Sequence, residues 1–347
     1  MLNVFVTGAT GLVGGEVCAR LVDAGHRVTA LIHRTPEIRA NDGSTVAVAQ
    51  TLSGDVSQAR FGWSKEVFDT LARDIDLVIH CAATVRFDLA EKDYEAVNVG
   101  GTRNALTLAE AGGADFLHVS TAYVCGTRDA TIRESDPLPD GGFANGYEAS
   151  KAAGERLVRA SGVRWTIARP SIVVGAHEDG TIRQFDTTYA AFKLIAEGKV
   201  TSMPSRAGAS LDFVPIDYVA HGIAFLAERM DAAAGGTFHL VSAQSIPVEA
   251  FAATIGRYPQ FHEPALVDPA AFDASGLPAL ERRLFRRVAG LYASYFQRDP
   301  HFDASEWIKL GGAPCPPTGT DYVGRLIDYC IAQGFLGQAP QAQRMSG

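Results

Sequence analysis

Residues 6–14 read Val-Thr-Gly-Ala-Thr-Gly-Leu-Val-Gly, which sets Gly8, Gly11 and Gly14 at Gly-x-x-Gly-x-x-Gly spacing. The run follows a short apolar strand, Asn3–Thr7, and opens a helix over 14–24. Glycines at such a junction permit a tight turn and let the backbone approach a pyrophosphate. The helix N-terminus behind them offers free N–H groups and a partial positive charge. A second strand begins about 20 residues further on, the spacing of a dinucleotide-binding βαβ unit. Thr10, Leu12 and Val13 complete the candidate contacts within the loop.

The rest of the first half keeps this rhythm. Apolar strands are predicted at Arg27–Ile32, 46–49, 77–81, 116–120 and 165–168, with helical stretches such as 100–111 between them. A further strand at 237–242 completes the far edge. Continuous apolar strands alternating with helices mean parallel strands buried on both faces. The expected fold class is α/β, a Rossmann-type doubly wound parallel sheet with a smaller, mostly helical C-terminal substrate lobe. Residues 1–175 and 211–246 form the nucleotide-binding domain on this reading, and 176–210 with 247–337 form the lobe. The polar residues 338–347 are expected to be a disordered tail.

Composition narrows the function. The 347 residues carry 31 basic and 39 acidic side chains, a net charge of −8, which disfavours general nucleic-acid binding. The five cysteines form no Cys-x-x-Cys pair, so no metal site is expected and a reducing cytosol suits them. No basic n-region or signal-like apolar stretch stands at the N-terminus, and no apolar run reaches the roughly 20 residues of a membrane span. The expectation is a cytoplasmic enzyme with no transmembrane segment.

The strand ends supply the chemistry. The second strand runs into His33 and Arg34, where a site preferring NAD places an acid for the ribose hydroxyl. Arg34 favours a 2′-phosphate, hence NADPH. Asp55 follows the third strand as a candidate contact to the adenine, beside Val56. Cys81, Ala82 and Ala83 end the fourth, where small side chains let the backbone pass close to the cofactor. Tyr147-Glu-Ala-Ser-Lys151 puts a phenol and an ammonium on one face of a helix. A free tyrosine has a pKa of about 10, and the expectation is that Lys151 lowers it by favouring the phenolate. Thr121, at the end of the fifth strand, completes a polar clamp on a reacting oxygen. Asn98 is expected to stabilise a helix or a water near Lys151.

Glycine loop, Asp55, Ala82-Ala83, Asn98, Thr121, Tyr147 and Lys151 together resemble the extended short-chain dehydrogenase/reductase superfamily over about two-thirds of the chain. Four segments give a narrower likeness: His80 to Asp88, Asn98 to Asn104, His118 to Val124 and Arg169 to Gly175. They are similar to fatty acyl-CoA reductases and to the reductase domains that release thioester-bound chains from carboxylic acid reductases and peptide or polyketide synthetases. The resemblance implies NADPH-dependent reduction of an acyl thioester, on coenzyme A or a separate carrier protein, to an aldehyde or alcohol. Pro170, Ser171 and Ile172 join the cofactor contacts on that reading. A dehydrogenase or ketoreductase of secondary alcohols or ketones uses the same residues. A nucleotide-sugar enzyme is disfavoured, because Thr121-Ala122-Tyr123 lacks the acid pair of the dehydratases and Arg169-Pro170-Ser171 departs from the epimerase pattern. A non-catalytic dinucleotide sensor is disfavoured by the intact tyrosine–lysine pair.

Past residue 247 the residues speak less clearly. Residues 280–296 read as one amphipathic helix with Leu280, Leu284, Val288, Leu291 and Tyr295 on a stripe. Arg282, Arg283, Arg286 and Arg287 cluster at its opening, where the helix dipole disfavours them. They read either as a solvated face or as a docking patch for coenzyme A phosphates, an acidic carrier or a lipid surface. Phe185, Tyr189, Phe192, Phe213, Phe272 and Trp307 are core aromatics or the lining of an acyl channel, and Arg86 with Phe87 falls near its mouth. Arg86 reads equally as a structural ion-pair partner.

Overall fold

The structure, a computed structural model, describes residues 1–339 apart from the Thr187 side chain. Most of the expected tail lies outside the described residues.

Seven strands form the central sheet: β1 (Asn3–Thr7), β2 (Arg27–Ile32), β3 (Gln50–Ser53), β4 (Leu77–His80), β5 (Asp115–Val119), β6 (Trp165–Pro170) and β7 (Thr237–Leu240). All pair in parallel, in the spatial order β7-β6-β5-β4-β1-β2-β3. The chain therefore winds outward from β1 to β3, then restarts at β4 on the other side. A crevice opens at the carboxyl ends of β1 and β4, where ligands of such sheets bind.

Alternation along the strands feeds both faces. Val4 and Val6 pack with α1 (Leu12–Asp23), while Phe5 points to the opposite face with Phe61, Val78 and Phe116. The second face is covered by α2 (Lys65–Asp74) and α3 (Gly100–Gly112), and joined by Val158 from α4 (Gly146–Ala160). Ser64 caps α2 by accepting from the Val67 N–H at 3.3 Å.

The third strand is displaced from its expected place. Residues 46–49 are not a sheet strand; Gln50–Ser53 pairs instead, Thr29 opposite Gln50. Val46 and Val48 are half-buried against the core from an irregular segment, which produced the apolar signal. The true strand lies at the sheet edge, and exposure makes it polar.

A separate hydrophobic cluster lies beyond the sheet. It gathers α5 (Thr187–Ala196), α7 (Val248–Gly256) and α9 (Thr320–Ala332); α6 (Ile216–Glu228) lies between α5 and α7 in sequence but packs on α1. The expected single helix over 280–296 is two pieces: α8 (Ala279–Arg287) and a tighter helix, Ala289–Gln297, separated by a kink at Val288 (φ −135°, ψ −72°). Leu280 leaves the stripe and is 69% exposed, whereas Glu281 turns inward and accepts from the Thr201 N–H and hydroxyl at 2.7 and 2.8 Å. The break corrects the dipole argument too. Arg286 and Arg287 stand in the last turn of a short helix, where positive charge is favoured.

Candidate active site

The glycine loop is held by contact, not by composition alone. Gly8 adopts φ +70°, and a Cβ on it would meet Ala82 N at 2.6 Å across the crevice. A Cβ on Gly14 would fall 2.2 Å from the Gly8 carbonyl oxygen. Gly15 was not singled out from the sequence, yet a Cβ there would sit 2.3 Å from the Arg39 carbonyl oxygen. Its neighbour Gly14 masked it, since a run of two glycines does not say which is needed. Gly11 caps α1 with no side-chain hydrogen bond, and no acid occupies the first turn. The helix thus presents free N–H groups over a cradle that side chains would fill. That is a seat for the diphosphate of a dinucleotide.

The expected residues fall into two groups. Gly8, Gly11, Leu12, Val13, Gly14, Cys81, Ala83, Thr121, Tyr147, Lys151, Pro170, Ser171 and Ile172 line one continuous cavity of about 420 Å³. Thr10, Ala82, Arg34, Asp55 and Val56 lie outside its lining. Ala82 backs the crevice by donating its N–H to Thr7 Oγ1 at 3.3 Å. Arg34 is exposed at the end of β2. Asp55 accepts from the Ser57 N–H and hydroxyl at 2.9 and 2.8 Å, with His33 Nε2 at 3.7 Å. Val56 offers its carbonyl to Asn104 at 2.7 Å. A further basic group reaches the loop: Arg183 donates to the Thr10 carbonyl at 3.3 Å. It comes from a segment with no strand or helix pattern, so no sequence signal marked it.

Asn98 explains how α4 is placed. It sits in a widened helical turn, Glu95–Val99, that bulges it inward. Its Oδ1 accepts from the Thr84 N–H at 2.8 Å, and its Nδ2 donates to Thr84 O and Ser150 Oγ at 3.1 and 2.8 Å. Ser150 in turn donates to the Tyr147 carbonyl at 2.7 Å. Loop and α4 are thus tied through one amide, rather than through a contact to Lys151. Asn145 caps α4, accepting from the Glu148 N–H at 2.9 Å.

Electrostatics depart from the expectation at Tyr147. Burial, followed by the neighbouring Glu148 carboxylate, pushes the phenol well above its ordinary range, and only the bond to the Thr121 hydroxyl opposes them. Lys151 does not pull it down; its Nζ donates to the Val119 carbonyl at 2.7 Å. Burial lowers Lys151 itself to about 8, with Glu155 and Cys81 holding it up. At neutral pH the site therefore holds a protonated phenol beside a lysine close to its titration point. The half-buried Cys81 thiol is pushed up to about 12 by burial, which leaves it inert. Behind Lys151, Glu155 is fully buried and takes both ends of the Arg169 guanidinium at 2.8 and 2.7 Å.

From Thr121, Tyr147 and Lys151 the cavity runs into the separate hydrophobic cluster beyond the sheet. Tyr189, Phe192 and Phe213 line it, while Phe185 stacks on Phe335, Phe272 on Phe285, and Trp307 packs against Phe225. Phe87 stands over Tyr147, ring centres 5.6 Å apart, and over Tyr292 at 5.0 Å. Arg86 forms a surface pair with Asp88 at 2.8 Å and stays out of the cavity. Tyr292, Tyr295, Phe296, Val323 and Leu326 complete the wall. Sequence reading missed their place because they come from the kinked segment and the last helix. Among the described residues no His, Cys, Asp or Glu cluster could hold a metal, and no helix is long and apolar enough to cross a membrane.

Comparison with known proteins agrees with this geometry. The chain is 30% identical over 256 residues to glycine betaine reductase ATRR of Emericella nidulans, covering 65% of this chain and 20% of that protein. It is 27% identical over 270 residues to fatty acyl-CoA reductase 1 of Gallus gallus, covering 62% and 52%. The chain thus spans about half or less of these relatives' length. The crystal structure of the terminal R domain from the myxalamid PKS-NRPS biosynthetic pathway superposes with a TM-score of 0.82 at 26% identity, over 98% of this chain and 93% of that one. Nucleotide-sugar enzymes such as a UDP-glucuronic acid 4-epimerase of Bacillus cereus share the fold at 18% identity and a TM-score of 0.67, over 95% and 99%. The family described as male sterility protein, an NAD-binding domain, matches residues 6–223. The chain belongs to that family, and its fold is of the extended short-chain dehydrogenase/reductase type.

Proposed function

We propose that the chain reduces an acyl thioester, with NADPH as its preferred cofactor. The observation that carries this reading is the single cavity joining the glycine seat, the Thr121–Tyr147–Lys151 group and an apolar chamber. A charged or sugar-like substrate would leave that aromatic wall unsatisfied, whereas an apolar acyl chain gains about 0.8 kcal/mol for each buried methylene. The cradle at Gly8, Gly11 and Gly14 would hold the diphosphate, and Lys151 the nicotinamide ribose. Arg34, supported by Arg183 at the loop, favours a phosphorylated ribose.

A reduced nicotinamide, when bound, supplies the hydride. The chain's own residues do the rest. Thr121 and Tyr147 place two hydroxyls on the carbonyl oxygen and so favour the charge that gathers there. Tyr147, protonated at neutral pH, gives its proton to that oxygen. Lys151, titrating near 8, orients the ribose and returns a proton to the phenol. Collapse of the hemithioacetal releases the thiol and leaves an aldehyde; a second reduction would give the alcohol. Arg283, Arg286 and Arg287 are exposed, and Arg282 is partly so while bonding Ser275 O at 2.8 Å, so this helix is available to an acidic carrier protein bearing the thioester.

The test is product analysis after incubation with NADPH and dodecanoyl-coenzyme A, a dodecanoyl-carrier protein and simple ketones. Aldehyde or alcohol from a thioester supports the reading; turnover of ketones alone replaces it with a ketoreductase. Tyr147→Phe should abolish turnover, and full activity in that variant refutes the proton-donor role.

A further inference from the structure

Glu148 takes no part in the chemistry above, yet it is buried and heavily bonded immediately beside Tyr147. Its Oε2 accepts from the Ala144 N–H at 3.0 Å, while its own N–H donates to Asn145, so the carboxylate closes the first turn of α4. Arg298 reaches the same carboxylate from the substrate lobe. Its Nη2 donates to Oε1 at 2.5 Å and its Nη1 to Oε2 at 3.3 Å, with a third bond from Nη1 to Gly126 O at 3.0 Å. The two side chains are 4% and 0% exposed. The guanidinium also rests against the T-shaped pair Tyr123 and Tyr295, 4.7 Å from each ring centre. Tyr295 stacks on Phe87, and Phe87 lies on Tyr147. One arginine therefore grips both the turn that carries Tyr147 and the wall of the substrate cavity.

Stability alone is a weak reason for this arrangement. Two charges taken out of water are costly, and an apolar pair of similar volume serves a fold as well or better. Charge beside the phenol is a stronger reason. Glu148 opposes any negative charge on Tyr147, and it acts on Tyr295 in the same direction. Arg298 is the cation bonded to Glu148, whereas the Lys151 ammonium is engaged by the Val119 carbonyl.

We propose that Arg298 is a positioning residue for the reaction: it locks the turn bearing Tyr147 to the substrate lobe and pairs the Glu148 carboxylate, which would otherwise stand as an unpaired buried charge beside the phenol. The proposal rests on Tyr147 being the proton donor.

The test compares Arg298→Met, Arg298→Lys and Arg298→Met/Glu148→Gln in the full chain. Amide hydrogen exchange over 144–151, without substrate or cofactor, reads the lock. It should quicken roughly tenfold or more in Arg298→Met. Turnover of dodecanoyl-coenzyme A with NADPH reads the charge. For Arg298→Met, kcat should fall on the order of 100-fold with little change in KM for NADPH. The double variant should recover at least a tenfold part of that loss, and Arg298→Lys should keep more activity than Arg298→Met. Unchanged exchange overturns the lock. Equal losses in the single and double variants overturn the charge role and leave a purely structural residue. Tyr147→Phe, run alongside, separates the two readings: if it keeps turnover, the donor assignment fails, whereas the exchange result still decides the lock.

Discussion

Glu155→Gln tests the arrangement from behind. The wild-type carboxylate is completely buried, takes both Arg169 bonds at 2.8 and 2.7 Å, and meets Arg159 at 3.3 Å. Glutamine keeps one acceptor oxygen but removes the charge, leaving the Arg169 guanidinium, 2% exposed, without a counter-ion. Breaking a buried pair in this way costs about 3–5 kcal/mol, and the retained amide oxygen puts the expectation near 3. That is a large part of the roughly 5–15 kcal/mol that holds a domain folded. A second effect has a different origin. Glu155 is the main group holding Lys151 up against burial, so without it the lysine drops below about 8. Chemical unfolding should show the stability loss, and the alkaline limb of kcat against pH should move toward acid. Glu155→Leu/Arg169→Met should regain most of the stability, because neither charge is then stranded, yet keep the displaced limb. A Glu155→Gln variant within 1 kcal/mol of wild type by about the accuracy of such measurements, with its limb in place, would refute the reasoning.

Gly14→Ala must push Gly8 and α1 apart, whereas a Cβ on Gly11 meets Gly8 O at 3.2 Å, a close contact that needs only a few tenths of an ångström of give. Losing one charge-assisted backbone bond of about 1.5–3 kcal/mol should raise the Kd for NADPH roughly 10- to 100-fold in Gly14→Ala only, as read by fluorescence titration. Burial lowers Lys151 from 10.5 to about 8, so the unfolded chain binds the extra proton between those values. That penalty, roughly 3 kcal/mol, is complete below pH 8 and relieved as pH rises to 10.5; Lys151→Met should flatten this rise in unfolding free energy. Phe192→Trp narrows the chamber, and its preference for dodecanoyl- over hexanoyl-coenzyme A should fall by about fourfold for each methylene excluded, as measured by kcat/KM. Replacing Arg283, Arg286 and Arg287 with glutamate should raise KM for the acyl-carrier protein on the order of tenfold at low salt, and an unchanged KM removes the docking role.

The nucleotide half of the molecule is readable in the sequence because its signals are local. A glycine must sit where a Cβ would strike a carbonyl, and strands buried on two faces show as apolar runs. The reading failed where exposure or tertiary contact decides. The edge strand Gln50–Ser53 is polar because it lies at the margin, and the stripe over 280–296 concealed the kink at Val288. The ionisation of Tyr147 was misjudged for a related reason. Spacing on a helix brings Lys151 to the same face, but only the fold shows that its Nζ is engaged by Val119 and that the Glu148 carboxylate acts on the phenol. Arg183 and Arg298 come from segments with no periodic mark, and the stripe of α9 does not say what it faces, so no pattern links these residues to the site.

The chamber wall is assembled from stretches far apart along the chain, with Tyr189 and Phe192 in the middle and Val323 and Leu326 from α9. The residues of the glycine seat are therefore made long before those that close the chamber. Without α9 the wall would lose Val323 and Leu326, and the cavity would stand open to water on that side. Order along the chain thus makes α9 the piece that completes the chamber wall.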